Sequence, residues 1–225
     1  SEDLAERYPD RLAALVALWH AEAERNQVLP LDDRDGERGL FTYWGQPRQR
    51  WVFEQGMNRV SGYVAPAVGN RSYRIVADVD LAQGTEGVIL AVGGRAGGYV
   101  LFIQHGRLVH EYLGPGRRWV VESSEPLPPG RHELAFEFRQ QAACAGTATL
   151  KCDDRSIGSI DMSGMWPLSP TAGGVYCGYD DGSPCSDRYT LPFSFTGRIH
   201  RVVVETGEDH VPNRALQNHV SISED

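Results

Sequence analysis

The chain has 225 residues, of which 41% are hydrophobic and 23% are charged, which is typical of a folded globular protein and excludes a disordered one. No run of about 18 apolar residues is present, so the sequence predicts no membrane-spanning helix. The 22 basic and 30 acidic residues give a formal net charge of −8 without a basic stripe, so neither nucleic acid nor a membrane is an expected partner.

Lysine is nearly absent, and Lys151 is the single example in the chain. Enzymes that use lysine as a Schiff base or as a phosphate-binding cation are therefore disfavoured. The four cysteines form no C-x-x-C pair. The sequence starts at Ser1 without an initiator methionine or a signal-peptide pattern, which predicts a fragment or a processed chain.

The first predicted element is a helix from about Pro9 to Asn26. Pro9 suits the first helical position, and Asp10 places negative charge near the positive end of the helix dipole. Glu22 and Glu24 are unlike the basic flanks of a membrane-surface helix. One helix face carries apolar side chains at three- and four-residue spacing, and we expect this face to be an interface: Tyr8, Leu12, Leu15, Val16 and Trp19.

From about residue 50 the apolar pattern changes to a period of two, which indicates strands. Segments 87–92 and 99–103 are apolar throughout, so we expect them to be buried on both faces. The predicted fold is mainly β: a two-sheet antiparallel sandwich of the jelly-roll, concanavalin or laminin-G type, preceded by the helix. The predicted division is 1–48 for helix and linker, 49–206 for the sandwich and 207–225 for a weakly patterned tail. The individual strands are predicted at 74–80, 87–92, 99–103, 108–112, 119–121, 132–139, 147–152, 155–160 and about 199–204.

Several phrases of the sequence resemble the C-terminal accessory region of bacterial, actinobacterial-type arylsulfatases. The resemblance covers about residues 1 to 206, and its phrases include Tyr8-Pro9-Asp10-Arg11-Leu12, Asn70-Arg71-Ser72-Tyr73, Gly93-Gly94-Arg95-Ala96-Gly97-Gly98-Tyr99 and Pro192-Phe193-Ser194-Phe195-Thr196-Gly197. It implies that the formylglycine nucleophile and its calcium ion belong to a catalytic domain upstream. None of the four cysteines starts the C-x-P-x-R type motif from which formylglycine is made.

An acidic loop near the end of the chain is a candidate calcium site, with Asp180, Asp181, Ser183 and Asp187 as oxygen ligands. The alternative is a turn in which Asp and Ser side chains bond to their own backbone, because EF-hand spacing is absent. Cys177 and Cys185 bracket the same loop, and they are either joined in a disulfide or reduced and buried, as in a cytosolic protein.

The sequence offers candidate residues for cleaving a carbohydrate and for binding one. Glu133 and Glu137 share a strand face but lie too far apart to presume a retaining glycosidase pair. Trp44 and Trp51 lie in a polar stretch and are candidates for stacking on a sugar, with burial at a core edge or interface as the alternative. The seven histidines show no H-E-x-x-H or H-x-H pair, so a zinc site would have to be assembled from distant strands.

The sequence predicts a non-catalytic accessory domain that packs on and stabilises the catalytic domain of an arylsulfatase-like enzyme and shapes its substrate entrance. No cofactor is expected in this chain except calcium at the acidic loop. The alternatives are a lectin-like module that binds a sulfated or neutral glycan, and a laminin-G-like domain that binds a protein. Dimerisation through the exposed helix face is a further expectation.

Overall fold

A computed structural model describes residues 3–26, 48–114, 116–165 and 173–209 of the protein. The chain divides into two compact units, Ser1–Pro47 and Arg48–Asp225. The first unit contains helix α1 (Pro9–Arg25), with Pro9 at its start as predicted. Asn26 caps its other end, because its backbone N–H and its side-chain amide both donate to the Glu22 carbonyl. In the described part of the chain, no helix combines the length and apolar character needed to cross a membrane.

The second unit is an antiparallel β-sandwich, which confirms the predicted fold class. One sheet has six strands in the order β1-β11-β2-β7-β8-β9, and the other has five in the order β10-β3-β4-β5-β6. The strands are β1 (Arg50–Phe53), β2 (Tyr73–Leu81), β3 (Gly87–Gly94), β4 (Gly97–Gln104), β5 (Arg107–Gly114), β6 (Arg117–Glu122), β7 (Gly130–Ala142), β8 (Ala145–Cys152), β9 (Arg155–Ser163), β10 (Val175–Cys177) and β11 (Arg198–Thr206). Each predicted strand overlaps one of these, whereas the short β1 and β10 were not predicted.

The core lies between the two sheets and follows the predicted alternation. On β7, Leu134, Phe136 and Phe138 face inward and are buried, while Glu133 and Glu137 lie on the opposite side of the strand. Strand β11 returns from the end of the described chain and inserts between β1 and β2. Residues near both ends of this unit therefore share one sheet.

The five-stranded sheet is covered on its outer side by residues 178–197, which we call the cover segment. Cys185 and Tyr189 of this segment are buried, and they pack against Val88, Val100 and Phe102 of β3 and β4. The Val88 N–H donates to the Phe193 carbonyl at 3.1 Å. Strands β3 and β4 are consequently buried on both faces, as their continuous apolar sequences predicted.

Candidate functional site

The predicted calcium ligands of the acidic loop are engaged by other protein groups. Asp180 is fully buried, and its Oδ2 accepts hydrogen bonds from the Tyr189 hydroxyl at 2.6 Å and the Cys185 N–H at 3.3 Å. Burial raises the pKa of the Asp180 carboxyl above its ordinary value. Asp181 accepts from the N–H of Gly182 at 2.8 Å, so it stabilises the turn.

The other two predicted ligands point elsewhere. Ser183 Oγ accepts from the Arg95 N–H at 3.1 Å, and Asp187 pairs with Arg118 at 2.8 Å. Asp180, Asp181 and Asp187 are not part of the cluster of His, Cys and Asp side chains found among the described residues. These hydrogen bonds anchor the cover segment and agree with the alternative of a turn stabilised by Asp and Ser side chains, and calcium binding by the loop stays a prediction.

Cys177 and Cys185 beside this loop are free thiols, so the alternative of reduced cysteines describes them and the disulfide does not. Both are buried, Cys177 on β10 and Cys185 in the cover segment. Burial raises the pKa of the Cys177 thiol to about 12, so it stays protonated at neutral pH.

The predicted stacking role of Trp51 is not available in the fold. Trp51 is only 6% exposed, because β1 pairs with β11 and turns this ring into the core. Its indole N–H donates to the Val64 carbonyl at 3.0 Å. The alternative of burial at a core edge therefore describes Trp51, whereas Trp44 lies outside the described residues.

The apolar residues predicted as an interface on α1 are accessible in the structure. Their exposed fractions run from 46% to 58%, for Tyr8, Leu12, Leu15, Val16 and Trp19. Large apolar side chains that remain exposed along one helix face are typical of surfaces that bind a partner.

A second accessible surface is the outer face of the six-stranded sheet, which sequence analysis did not identify. Its centre is a row of small apolar residues in register across four strands, which we call the apolar strip: Val52, Val203, Val76 and Ala135. Val52 is 49% exposed at the edge strand and Val76 is half-buried, whereas Val203 and Ala135 are only 8% and 7% exposed. Neighbouring strands lie about 4.8 Å apart, so the strip is about 14 Å long. Lys151 of β8 continues the same row.

A row of paired charges borders one side of the apolar strip. Glu205 accepts from Arg50 Nε at 3.2 Å and from Arg74 Nε at 2.7 Å, and Lys151 Nζ lies 2.9 Å from Glu137. The hydrogen bond from Arg74 holds the pKa of Glu205 below its ordinary value. A cleft of about 350 Å³ opens along this row, with Arg74, Glu137 and Glu205 in its wall.

A second row of charges borders the other side of the strip. Arg131 forms a forked pair with Asp78, with Nε to Oδ1 at 2.9 Å and Nη2 to Oδ2 at 2.8 Å. This hydrogen bond lowers the pKa of Asp78. Opposite Asp78 in the register lie Arg201 on β11 and Glu133 on β7.

Two carboxyl groups of this face are held in their charged form. A general acid at neutral pH needs a raised carboxyl pKa, whereas Asp78 and Glu205 have lowered values and stay ionised. Each arginine and its carboxylate offer hydrogen-bond donors and acceptors side by side, and the strip between them offers an apolar floor. The alternation of β2, β7 and β11 indicated polar outward positions, but their alignment into rows depends on strand register.

Comparison with models of protein families and with curated proteins gives no match, so the arylsulfatase resemblance stays a prediction. Among solved structures, the fold is similar to domains LG4–5 of the mouse laminin alpha1 chain, with a TM-score of 0.48 and 15% identity over 71% of this chain and 42% of that one. It is also similar to the NanB sialidase of Streptococcus pneumoniae, with a TM-score of 0.48 and 10% identity over 74% of this chain and 27% of the sialidase. The galectin LEC-6 of Caenorhabditis elegans matches with a TM-score of 0.38 and 10% identity, over 68% of this chain and 95% of the galectin.

Proposed function

We propose that the chain is a carbohydrate-binding module that holds an uncharged, extended oligosaccharide across the outer face of the six-stranded sheet. The observation that carries this proposal is the apolar strip between two rows of paired charges. A sugar ring presents C–H groups on its face and hydroxyls at its edge. Val52 and Val76, the accessible residues of the strip, contact the C–H groups, and the flanking pairs bond to the hydroxyls.

The charge pattern selects the class of glycan. The arginines that form ion pairs on this face are each balanced by a carboxylate, as in the pairs of Arg74 with Glu205 and of Arg131 with Asp78. A strongly anionic ligand would be attracted to the arginines and repelled by their carboxylates over the same distance. A hydroxyl both donates and accepts, so a neutral glycan uses both members of each pair.

Two substitutions on this face should weaken oligosaccharide binding. Arg74→Ala removes a charged hydrogen-bond donor and should reduce affinity by about 10- to 100-fold, while Arg50 still pairs with Glu205. Val52→Asp places an unpaired charge in the apolar strip and should weaken binding by at least as much as Arg74→Ala. Glycan-array screening followed by calorimetric titration measures the effect, with Arg95→Ala, on the exposed turn between β3 and β4, as the matched control.

Two outcomes of this experiment would contradict the proposed glycan site. If the wild type, Arg74→Ala and Val52→Asp bind a glycan from the array with equal affinity, the sugar binds elsewhere. A chain that binds no glycan but binds a polypeptide through the same residues would be the laminin-G-like protein-interaction domain instead.

We propose a second role for α1, as the surface through which the chain docks on an arylsulfatase-like catalytic domain. The exposed apolar side chains of Tyr8, just before this helix, and of Leu12, Leu15, Val16 and Trp19 within it support this role, because docking would bury them. In this arrangement the chain is non-catalytic, and it stabilises the catalytic domain and borders its substrate entrance. The nucleophile and the calcium ion belong to that partner.

The purified chain should fold by circular dichroism and yet leave an aryl sulfate unhydrolysed.

The chain should also self-associate through α1 in sedimentation experiments at high concentration, and Leu15→Arg should return it to a monomer because a charge then interrupts the apolar face. Glu24→Ala, at a polar position of the same helix, is the control. Turnover by the pure chain would contradict the non-catalytic assignment, and association unchanged by Leu15→Arg would contradict the docking role of the helix.

A further inference from the structure

Three side chains of metal-ligand type meet at the turn between β8 and β9. They are His132 from β7, Cys152 at the end of β8 and Asp153 in the turn itself. Their ligand atoms all lie within 4.8 Å of one another. The group lies apart from the charged rows of the outer face, because His132 and Cys152 occupy inward-facing positions of their strands, in register beside core residues Val79 and Leu134.

The separations approach those of a tetrahedral zinc site. His132 Nδ1 lies 2.7 Å from Asp153 Oδ2, and Cys152 Sγ lies 3.9 Å from the same oxygen. Zinc bonds of about 2.0 Å to nitrogen and oxygen and about 2.3 Å to sulfur place such ligand atoms about 3.3 to 3.6 Å apart. The two separations from Asp153 Oδ2 differ from these values by less than about 1 Å, and the ligand atoms of His132 and Cys152 lie within 4.8 Å of each other.

The backbone already orients Asp153 for this role. Asp153 has a φ of +48°, and its N–H donates to the Glu133 carbonyl at 2.9 Å. Its Oδ1 accepts from the Glu133 N–H at 2.9 Å, which leaves Oδ2 directed at His132 and Cys152. The other nitrogen of His132 is buried without a hydrogen-bond partner among the described residues, so Asp153 is the polar group that orients the ring there.

A cleft beside the group gives room for a fourth ligand. It has a volume of about 280 Å³, and its wall includes Cys152 and Asp153 together with Glu125. The Glu125 carboxylate is 3.9 Å from Arg155 and both side chains are largely exposed, so no close contact holds Glu125 in place and water also reaches this cleft. A site with three protein ligands and one open position is a common zinc arrangement.

We propose that His132, Cys152 and Asp153 bind a zinc ion whose fourth ligand, water or Glu125, comes from this cleft. A thiolate, an imidazole and a carboxylate together suit zinc, whereas calcium and magnesium take oxygen ligands. On binding, the Cys152 thiol releases its proton to solvent, and the His132 proton moves to Nε2 so that Nδ1 can ligate. The ion ties β7 to the turn between β8 and β9 and raises the melting temperature.

Cobalt and zinc titrations of the full chain, after treatment with a chelator, test the site directly. Co²⁺ should bind at one ion per chain and produce the near-ultraviolet charge-transfer band of a cobalt–thiolate bond. Calorimetry with Zn²⁺ should give the same stoichiometry. Cys152→Ser should abolish the band. His132→Gln or Asp153→Asn should weaken metal binding by more than about 100-fold, which is more than the loss expected from removing a residue that only orients a metal ligand.

Two substitutions away from His132, Cys152 and Asp153 serve as controls for metal binding. Cys144→Ser and His105→Gln remove a cysteine and a histidine from other parts of the fold and should leave metal binding unchanged. Circular dichroism of each variant distinguishes a lost ligand from a lost fold, and the near-isosteric Asp153→Asn keeps the turn. Wild-type chain that binds no ion stoichiometrically, or a Cys152→Ser variant that binds as tightly as wild type, would overturn the proposal. Neither result bears on glycan binding.

Discussion

Replacing His110 by phenylalanine should remove a large part of the acid sensitivity of this domain. His110 is buried in the core on β5, where its ring stacks on Phe136 with ring centres 3.5 Å apart. Burial lowers the pKa of His110 to about 3, from an ordinary value of 6.5. The folded protein therefore keeps this imidazole neutral at pH values where the unfolded chain protonates it.

The direction of the effect follows from proton uptake. Between pH 6.5 and about 3 the unfolded state binds one proton more than the folded state at this position, so stability falls as the pH falls. The loss is about 1.4 kcal/mol per pH unit, or about 5 kcal/mol over the whole interval. Phenylalanine keeps an aromatic ring against Phe136 but takes up no proton, so His110→Phe should lack this loss.

Urea unfolding at two pH values measures this effect. Between about pH 7 and about pH 4.5 the wild type should lose about 2 to 3 kcal/mol more than His110→Phe. The buried Asp180 and Glu111 act in the opposite direction, because burial raises their pKa values and their protonation stabilises the fold as the pH falls. Both carboxyls are present in wild type and variant, so their contributions cancel in the difference. The exposed His105→Phe is the control, and parallel pH profiles for wild type and His110→Phe would contradict the prediction.

Replacing Gly87 by alanine should strongly destabilise the sandwich. Gly87 has a φ of +116°, and a Cβ there would lie 2.2 Å from the Ser194 carbonyl oxygen and 2.4 Å from the Phe195 Cα. The unfavourable backbone conformation costs about 1 to 3 kcal/mol and the overlap with backbone about as much again, so we expect a loss of about 2 to 6 kcal/mol. The overlap forces the cover segment away from β3.

A neighbouring glycine provides a matched control for this prediction. Gly84 also has a positive φ, of +78°, but a Cβ there would meet nothing within 4 Å. Gly84→Ala should therefore cost only about 1 to 2 kcal/mol. Denaturant unfolding gives both values, and limited proteolysis of Gly87→Ala should cut within residues 178–197 before the rest of the sandwich. Equal costs for the two substitutions would show that the cover segment adjusts without loss.

The secondary structure could be predicted because its signals are local. The apolar period of α1 and the alternation of β7 are properties of segments shorter than about 20 residues. Continuous apolar runs in β3 and β4 correctly predicted burial on both faces. The short β1 and β10 escaped prediction, because three or four residues carry too little periodicity and these strands depend on pairing with distant partners.

The candidate sites could not be predicted in the same way. Trp51 lies among polar neighbours in the sequence, yet pairing with Val204 of β11 turns it into the core. The acidic loop has the composition of a calcium site, but Asp180 bonds to Tyr189 and Asp187 to Arg118, and neither partner is evident from the loop itself. Composition showed which groups were available, and the tertiary contacts showed what each group binds.

The sequence by itself therefore determined the helix, the succession of strands, the two-sheet class and the presence of an apolar face on α1. Only the tertiary structure decided that β11 lies between β1 and β2, that a late segment covers one sheet, and that the apolar strip and its charged rows line up across the other. The physical reason is that periodicity depends on neighbours along the chain, whereas register depends on hydrogen bonds between strands far apart in sequence. Val52 and Val203 meet in this way, as do His132 and Cys152 at the proposed zinc site.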